Sequence, residues 1–312
     1  MIKIGGINID VSHPKAFSEY LKKGNRARYT MVYNDGFRGD DEVEGFIRAY
    51  GLEGRCSTVE ELADQVDIGF IQGCNWDRHL SYVQPFVDRK KPVFIDKPVA
   101  GTVKDCDKLE KLVREGAVIL GSSSVRYARE ITGFNKLDAD EKGEIVNVFG
   151  TAGVDEFNYG VHIVEGIGGV MGTGAVSCSF IGRSVIQDKI CETYYVRYEN
   201  GAGAVYNTFQ GIWQPFEMVI MTTKKTWQFR IDTTRIYGEL LDRIFDYMET
   251  GENRLAPIEA ITESIRIMLA GRISRERNGE EIRLSDIPED DPGYDGDEFE
   301  RGYAAKAQKI YI

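Results

Sequence analysis

Phe94-Ile95-Asp96-Lys97-Pro98 is the stretch on which the reading of this chain turns. Pro92-Val93-Phe94-Ile95 is short, apolar and rich in β-formers, and helical patterns flank it, which marks a buried strand. Asp96-Lys97-Pro98 stands where that strand must stop, because proline removes a backbone donor and bends the chain. In an open α/β sheet, ligands bind beyond the carboxyl ends of the strands. Lys97 is therefore expected to hold its ammonium at the mouth of a cleft.

Outward from this point, strand and helix patterns alternate through the first third. Strands are expected over 2–7, 28–33, 67–73 and 117–122. A helix over 14–23 carries Phe17, Tyr20 and Leu21 at helical spacing and is opened by Ser12-His13-Pro14. Ser57-Thr58-Val59-Glu60 reads as a capping box before a helix that ends near Val66. Further helices place His79, Leu80, Val83, Phe86 and Val87 on one stripe, and Cys106, Leu109, Leu112 and Val113 on another. Repeated β-α units imply a Rossmann-type, doubly wound parallel sheet, closing a first domain at residues 1–124.

The remainder, 125–312, changes character. Strand patterns at 145–151, 175–181, 193–199, 204–211, 216–222 and 226–231 are joined mostly by turns, and Asn200-Gly201 is a hairpin signal. This predicts an α+β domain with a largely antiparallel open sheet, followed by helices at 237–249 and 257–277. Beyond Ser285 the acidic Asp290-Asp291-Pro292-Gly293-Tyr294-Asp295 segment reads as a solvated tail.

Composition sets bounds. A chain of 312 residues exceeds the single-core limit of roughly 250–300, so two domains are expected. Lys plus Arg total 39 against 50 Asp plus Glu, for a net charge of −11. Such an acidic chain with no basic run is a poor partner for nucleic acid or an anionic membrane. The sequence enters a strand pattern at once, and no apolar run reaches the roughly 18 residues of a membrane span. Cys56, Cys74, Cys106, Cys178 and Cys191 include no Cys-x-x-Cys pair, which reads as reduced, cytoplasmic usage. His13, His79 and His162 lack metal-ligand spacing, so no metal is expected.

A parallel sheet starting at residue 2 invites a dinucleotide, yet the G-x-G-x-x-G pattern is not intact. In its place stands Gly5-Gly6-Ile7-Asn8-Ile9-Asp10-Val11-Ser12-His13. Asn8 or Ser12 could bond a phosphate or cap the following helix. Asp10 would need a backbone amide or a ribose hydroxyl to offset its charge beside a pyrophosphate. Asn34-Asp35, after the second strand, can accept ribose hydroxyls and favours NAD, whereas Arg38 could hold the 2′-phosphate of NADP.

With these landmarks in order, the chain resembles the Gfo/Idh/MocA (glucose–fructose oxidoreductase and inositol dehydrogenase) family. Asp10-Val11-Ser12-His13 looks like the Asp-Thr-Ser-His variant of the family's glycine loop, found in one of its branches. Cys74-Asn75-Trp76-Asp77-Arg78-His79 occupies the loop after the fourth strand, and Asp96-Lys97-Pro98 matches the Glu/Asp-Lys-Pro signature. Tyr159-Gly160-Val161-His162-Ile163-Val164-Glu165 resembles the Gly-x-His-x-x-Asp segment, with Glu in place of Asp, and Pro257-Ile258-Glu259-Ala260 also fits. The resemblance implies a nicotinamide-dependent, NAD(P)-using oxidoreductase that moves a hydride at a secondary alcohol of a sugar, polyol or derivative. It implies Lys97 and His162 as catalytic residues, and cofactor contacts at Asn8, Asp10, Ser12, His13, Asn34, Asp35, Gly73, Asn75, His79 and Asp96. Glu165 would orient His162 or bind a substrate hydroxyl; Trp76, Arg126 and Tyr159 are candidate substrate-pocket residues, each with a structural role as its alternative; and the family's habit implies a homo-oligomer built on the second sheet. The irregular Asp10 loop and the Glu165 exchange leave an alternative, a non-catalytic nucleotide-sensing relative. A short-chain dehydrogenase is disfavoured, because no tyrosine here has lysine four residues on.

Overall fold

In the computed structural model, which describes residues 1–121 and 123–311, the strands of the first third are buried on both faces and pair in parallel. The order of elements is β1 (Ile2–Ile7), α1 (His13–Leu21), β2 (Ala27–Tyr33), α2 (Asp40–Tyr50), β3 (Gly54–Arg55), α3 (Val59–Gln65), β4 (Ile68–Ile71), α4 (His79–Asp88), β5 (Val93–Ile95), α5 (Val103–Arg114) and β6 (Ile119–Gly121). The sheet runs β3-β2-β1-β4-β5-β6, so the strand order reverses between β1 and β4. That reversal opens a crevice at the strands' carboxyl ends. Of the strand expected over 117–122, residue Ser122 lies outside the described residues.

Two local readings need correction. Helix α2 was not anticipated, although Val43, Phe46, Ile47 and Tyr50 hold helical spacing behind an acidic first turn of Asp40, Asp41 and Glu42. The cap of α3 falls one residue later than the pattern led by Ser57. Thr58 has extended backbone and accepts from the Glu61 amide at 3.1 Å, while the Glu61 carboxylate accepts from the Ser57 amide at 2.7 Å.

A 3-10 turn at Ser124–Tyr127 leads out of the first sheet. There follow α6 (Arg129–Asn135), α7 (Ala139–Lys142), β7 (Ile145–Val154), α8 (Gly160–Met171), β8 (Ala175–Ile186), β9 (Lys189–Tyr198), β10 (Gly203–Gln210), β11 (Glu217–Thr222), β12 (Thr226–Arg230), α9 (Ile236–Thr250), α10 (Ile258–Glu276), β13 (Ile282–Arg283) and α11 (Gly296–Ala304). The second sheet runs β12-β11-β7-β10-β9-β8-β13 and is antiparallel except for β7 with β10. Alternation orients it. Val148 and Ala152, Tyr194 and Val196, Ala204 and Tyr206, and Met218 and Ile220 are buried, and α8 and α10 pack on the sheet. Phe149, Tyr195, Val205 and Val219, one residue out of phase, are only partly covered.

The two halves share core. Leu240, Leu241, Ile244 and Phe245 of α9 join Ile4, Phe17, Phe70 and Phe94 beneath α1. The expected solvated tail is instead packed down. Tyr294 stacks on Phe157 with ring centroids 4.0 Å apart, and its hydroxyl bonds the Glu156 carboxylate at 2.8 Å. Among the described residues, no helix is long and apolar enough to cross a membrane.

Candidate active site

The strand β5 ends at Ile95, and the chain delivers Asp96, Lys97 and a cis peptide to Pro98 into the crevice. Lys97 Nζ donates to the Asn158 carbonyl at 3.1 Å and to Asn158 Oδ1 at 2.8 Å. Asn158 belongs to the turn before α8, which Asp155 shapes by accepting from the Tyr159 amide at 3.2 Å. Helix α8 begins two residues later and brings His162 to the same place. Lys97, His162, Asn158 and Tyr159 all line one cavity of ≈ 490 Å³. The sequence joined Lys97 and His162 only through the resemblance; here two domains bring them together.

Electrostatics tune both groups. Burial, then the charge of Lys97 and the His13 ring, hold the His162 imidazole well below its ordinary value, so it is neutral at physiological pH. Its Nδ1 lies 2.6 Å from Ser123 Oγ. With Nδ1–H donating to that oxygen, Nε2 carries the lone pair that can take a proton. Burial also lowers Lys97, although Asp96 and Asp155 oppose it. The His162 ring is flanked by Phe216 at 5.2 Å and Tyr159 at 5.7 Å between centroids. His13 opens α1 on the other wall, its Nδ1 2.5 Å from Asp96 Oδ2. Ser12 precedes it on the cavity lining.

The remaining predicted cofactor residues line the crevice floor and are mostly engaged with one another. Asn8, at φ 64°, holds the left-handed conformation that asparagine tolerates, and its Oδ1 accepts from the amides of Asp35 and Gly36. Asn34 accepts from the Ile9 amide at 3.3 Å, and Asp35 accepts from the Tyr82 hydroxyl at 2.7 Å. The Gly73 carbonyl lies 3.0 Å from Nε2 of the buried His79. Asp10 is buried, accepts from the Cys74 amide at 3.2 Å, and has one carboxyl oxygen without a hydrogen bond. Asp10, Cys74 and Glu300 bring their donor atoms within 4.8 Å of one another.

Three residues expected at the substrate lie away from this cavity. Trp76 is buried, packs on Phe157 and Phe299, and donates to the Tyr294 carbonyl at 2.6 Å. Arg126 and Glu165 form a buried ion pair, with Arg126 also bonded to the Ala260 carbonyl and Ser264. The added methylene of Glu165 lets it reach that guanidinium. None of the three lines the cavity. Arg38, offered as a 2′-phosphate hand, has its guanidinium on the Asp10 carbonyl, Glu42 and the Gln308 carbonyl. Sequence reasoning missed Asn158, Phe216, Arg230 and Tyr237 on the cavity wall. Only Asn158, adjoining the Tyr159-Gly160 motif, carried a local signal.

Does a dinucleotide fit? The lining of the cavity suits a nicotinamide and a small polar ring, with Lys97, His162 and Asn158 beside aromatic walls. The part of the crevice beyond β4, β1 and β2 is different, because residues 296–311 lie on it. Asn75 Nδ2 donates to Asp297 at 2.7 Å and Glu300 at 3.1 Å, and the Tyr311 hydroxyl donates to the Val11 carbonyl at 3.2 Å.

Residues 11–123 match the GFO_IDH_MocA family, described as an oxidoreductase family with an NAD-binding Rossmann fold. The first sheet and its helices are thus similar to that family's nucleotide-binding fold. No curated protein sequence matches the chain significantly. Among solved structures, a probable dehydrogenase from Thermotoga maritima superposes with a TM-score of 0.79 at 16% identity, covering 92% of this chain and 100% of that one. Scyllo-inositol dehydrogenase from Lactobacillus casei, solved with NAD(H) and scyllo-inositol, gives 0.77 at 13% identity over 91% and 99%. Myo-inositol dehydrogenase from the same organism, with NAD(H) and myo-inositol, gives 0.77 at 13% over 91% and 96%. These likenesses show a fold shared over both sheets of this chain.

Proposed function

We propose that the chain is an NAD-dependent dehydrogenase acting on a secondary alcohol of a sugar, polyol or sugar derivative. One observation carries this reading: the Lys97 ammonium and the neutral His162 imidazole line a single cavity. Inositol dehydrogenases among the structural neighbours support the substrate class. NAD supplies the hydride acceptor when bound. Ser12, His13 and Tyr237 would border its nicotinamide end, and Asn8, Asn34, Asp35, Gly73 and Asn75 its adenosine end. The engagement of Arg38 with Asp10 and Glu42 favours NAD over NADP.

The protein's own part is proton handling and orientation. Asn158 takes two of the three N–H donors of Lys97, and the third can hold the reacting hydroxyl. That contact stabilises developing alkoxide in a desolvated site. His162 Nε2 accepts the hydroxyl proton as the alcohol is oxidised. Tyr159, Phe216, Trp213 and Tyr237 offer flat apolar faces to a sugar ring, while Arg230 and Thr233 offer polar contacts. The half-covered outer face of the second sheet supports a homo-oligomer in which a second copy lies on it.

A panel of polyols and aldoses with NAD, followed by nicotinamide absorbance, tests the reaction. Lys97→Met and His162→Asn are each expected to lower kcat by about 10²–10⁴ with NAD binding retained. Full turnover in both variants would overturn the assignment. Binding of NAD without turnover on any alcohol would favour the nucleotide-sensing alternative, which the buried Asp10 carboxyl and the covered adenosine end support.

A further inference from the structure

We propose that residues 296–311 form a strap occupying the adenosine end of the dinucleotide crevice, so that NAD binds only as this segment leaves. The proposal rests on the NAD reading above. Helix α11 and the stretch after it cross the carboxyl ends of β4, β1 and β2 in turn. Asn75, after β4, is held by Asp297 and Glu300. Arg78 pairs with Glu300 at 3.3 Å. Over the β1 loop, Tyr303 reaches the cavity rim beside Val11 and Ser12 and packs edge-on against Phe37. Past β2, Arg38 donates to the Gln308 carbonyl at 2.9 Å, the Ile310 amide donates to Glu42 at 2.9 Å, and Lys309 pairs with Asp41. The crevice is filled by protein there, not bridged from above.

Chemistry and packing point the same way. Glu300 sets a carboxylate within 4.8 Å of Asp10, where a pyrophosphate would add further negative charge. A dinucleotide and this glutamate are competitors for one place. The fit is also close. A Cβ built on Gly45 of α2 would stand 1.6 Å from the Tyr311 carbonyl oxygen, and one on Gly296 would stand 2.5 Å from Asn75 Oδ1. The attachment of residues 309–311 is mixed: Tyr311 is buried and packs edge-on against Phe46 at 5.2 Å, whereas the Lys309–Asp41 pair is exposed. An exposed pair of that kind is individually weak, so the hold of the segment beyond α11 rests mainly on the Tyr311 contact, which is the one to remove in a test. A strap that closes the binding-competent state lowers apparent affinity by the fraction of open molecules.

Gly45→Ala in the full-length protein is the direct test. Alanine suits the interior of α2 better than glycine, and its methyl group excludes the docked Tyr311 backbone. Titration calorimetry with NAD is expected to show at least about tenfold tighter binding by Gly45→Ala than by the wild type. Equal or weaker binding overturns the strap. Trypsin supplies a second readout at Arg301, Lys306 and Lys309: NAD is expected to speed their cleavage in the wild type, and protection by NAD overturns displacement. Failure of both proteins to bind NAD overturns the cofactor reading itself, and the strap's role falls with it.

Discussion

Burial lifts the Asp10 carboxyl to about 6; the Cys74 amide works against this and the nearby Glu300 adds to it. The sign of the resulting pH dependence follows from linkage. The native value lies above the unfolded one of about 3.9, so the folded chain holds the proton more firmly. Stability from this group is present below pH of about 4 and is lost as pH rises through 6. At pH 7 the retained charge is expected to cost roughly 2–3 kcal/mol. Asp10→Asn should therefore be more stable than the wild type at pH 7, with the difference shrinking towards pH 4. Denaturant melts across that range measure it, and a gap independent of pH would refute the argument. The identity of Asp10 was plain in the sequence and its awkwardness beside a phosphate could be argued there. Its enclosure by Cys74, Gly36 and Glu300 could not, because those residues come from three separate stretches of chain.

At the scale of elements, the distance between β4 and α4 depends on a missing side chain. A Cβ on Gly69 would come within 2.3 Å of the Phe86 ring, which is itself fully buried. Overpacking of that kind costs about 1–3 kcal/mol. Gly69→Ala is expected to lower the unfolding midpoint accordingly, and an unchanged midpoint would show that the ring has room to move. Strands and helices with strong period were legible from sequence: β1, β2, β4, β5, α4, α5 and six strands of the second sheet, β7 to β12, overlap their expected positions, while the two-residue β13 was not foreseen. Helix α2 escaped because its apolar stripe is short and follows a glycine-rich, charged stretch. Helix α11 escaped because an acidic segment with Gly and Pro reads locally as solvated, and partners distant in sequence, among them Asn75, Trp76, Arg78 and Phe37, hold it in place.

For the whole molecule, the second sheet presents one face to α8 and α10 and leaves the other half-covered. Phe149, Tyr195, Val205 and Val219 meet through adjoining strands on that face. Burial of such a face against a second copy is the expected outcome. Sedimentation should give a mass above the monomer, and Val205→Glu should shift it downwards. A monomer mass independent of concentration would contradict the assembly. By itself, the sequence determined the alternation of β-α units apart from α2 and β3, the crossover to an antiparallel sheet, and the chemistry-bearing Lys97 and His162. These are local patterns or single residues, and period, capping and turn chemistry act over a few positions. Only the tertiary structure decided that Arg126 neutralises Glu165, that Trp76 is core, and that the chain's last helix lies on its own nucleotide crevice. Each of those contacts joins residues tens to hundreds of positions apart, and it exists because the folded layers bring them together.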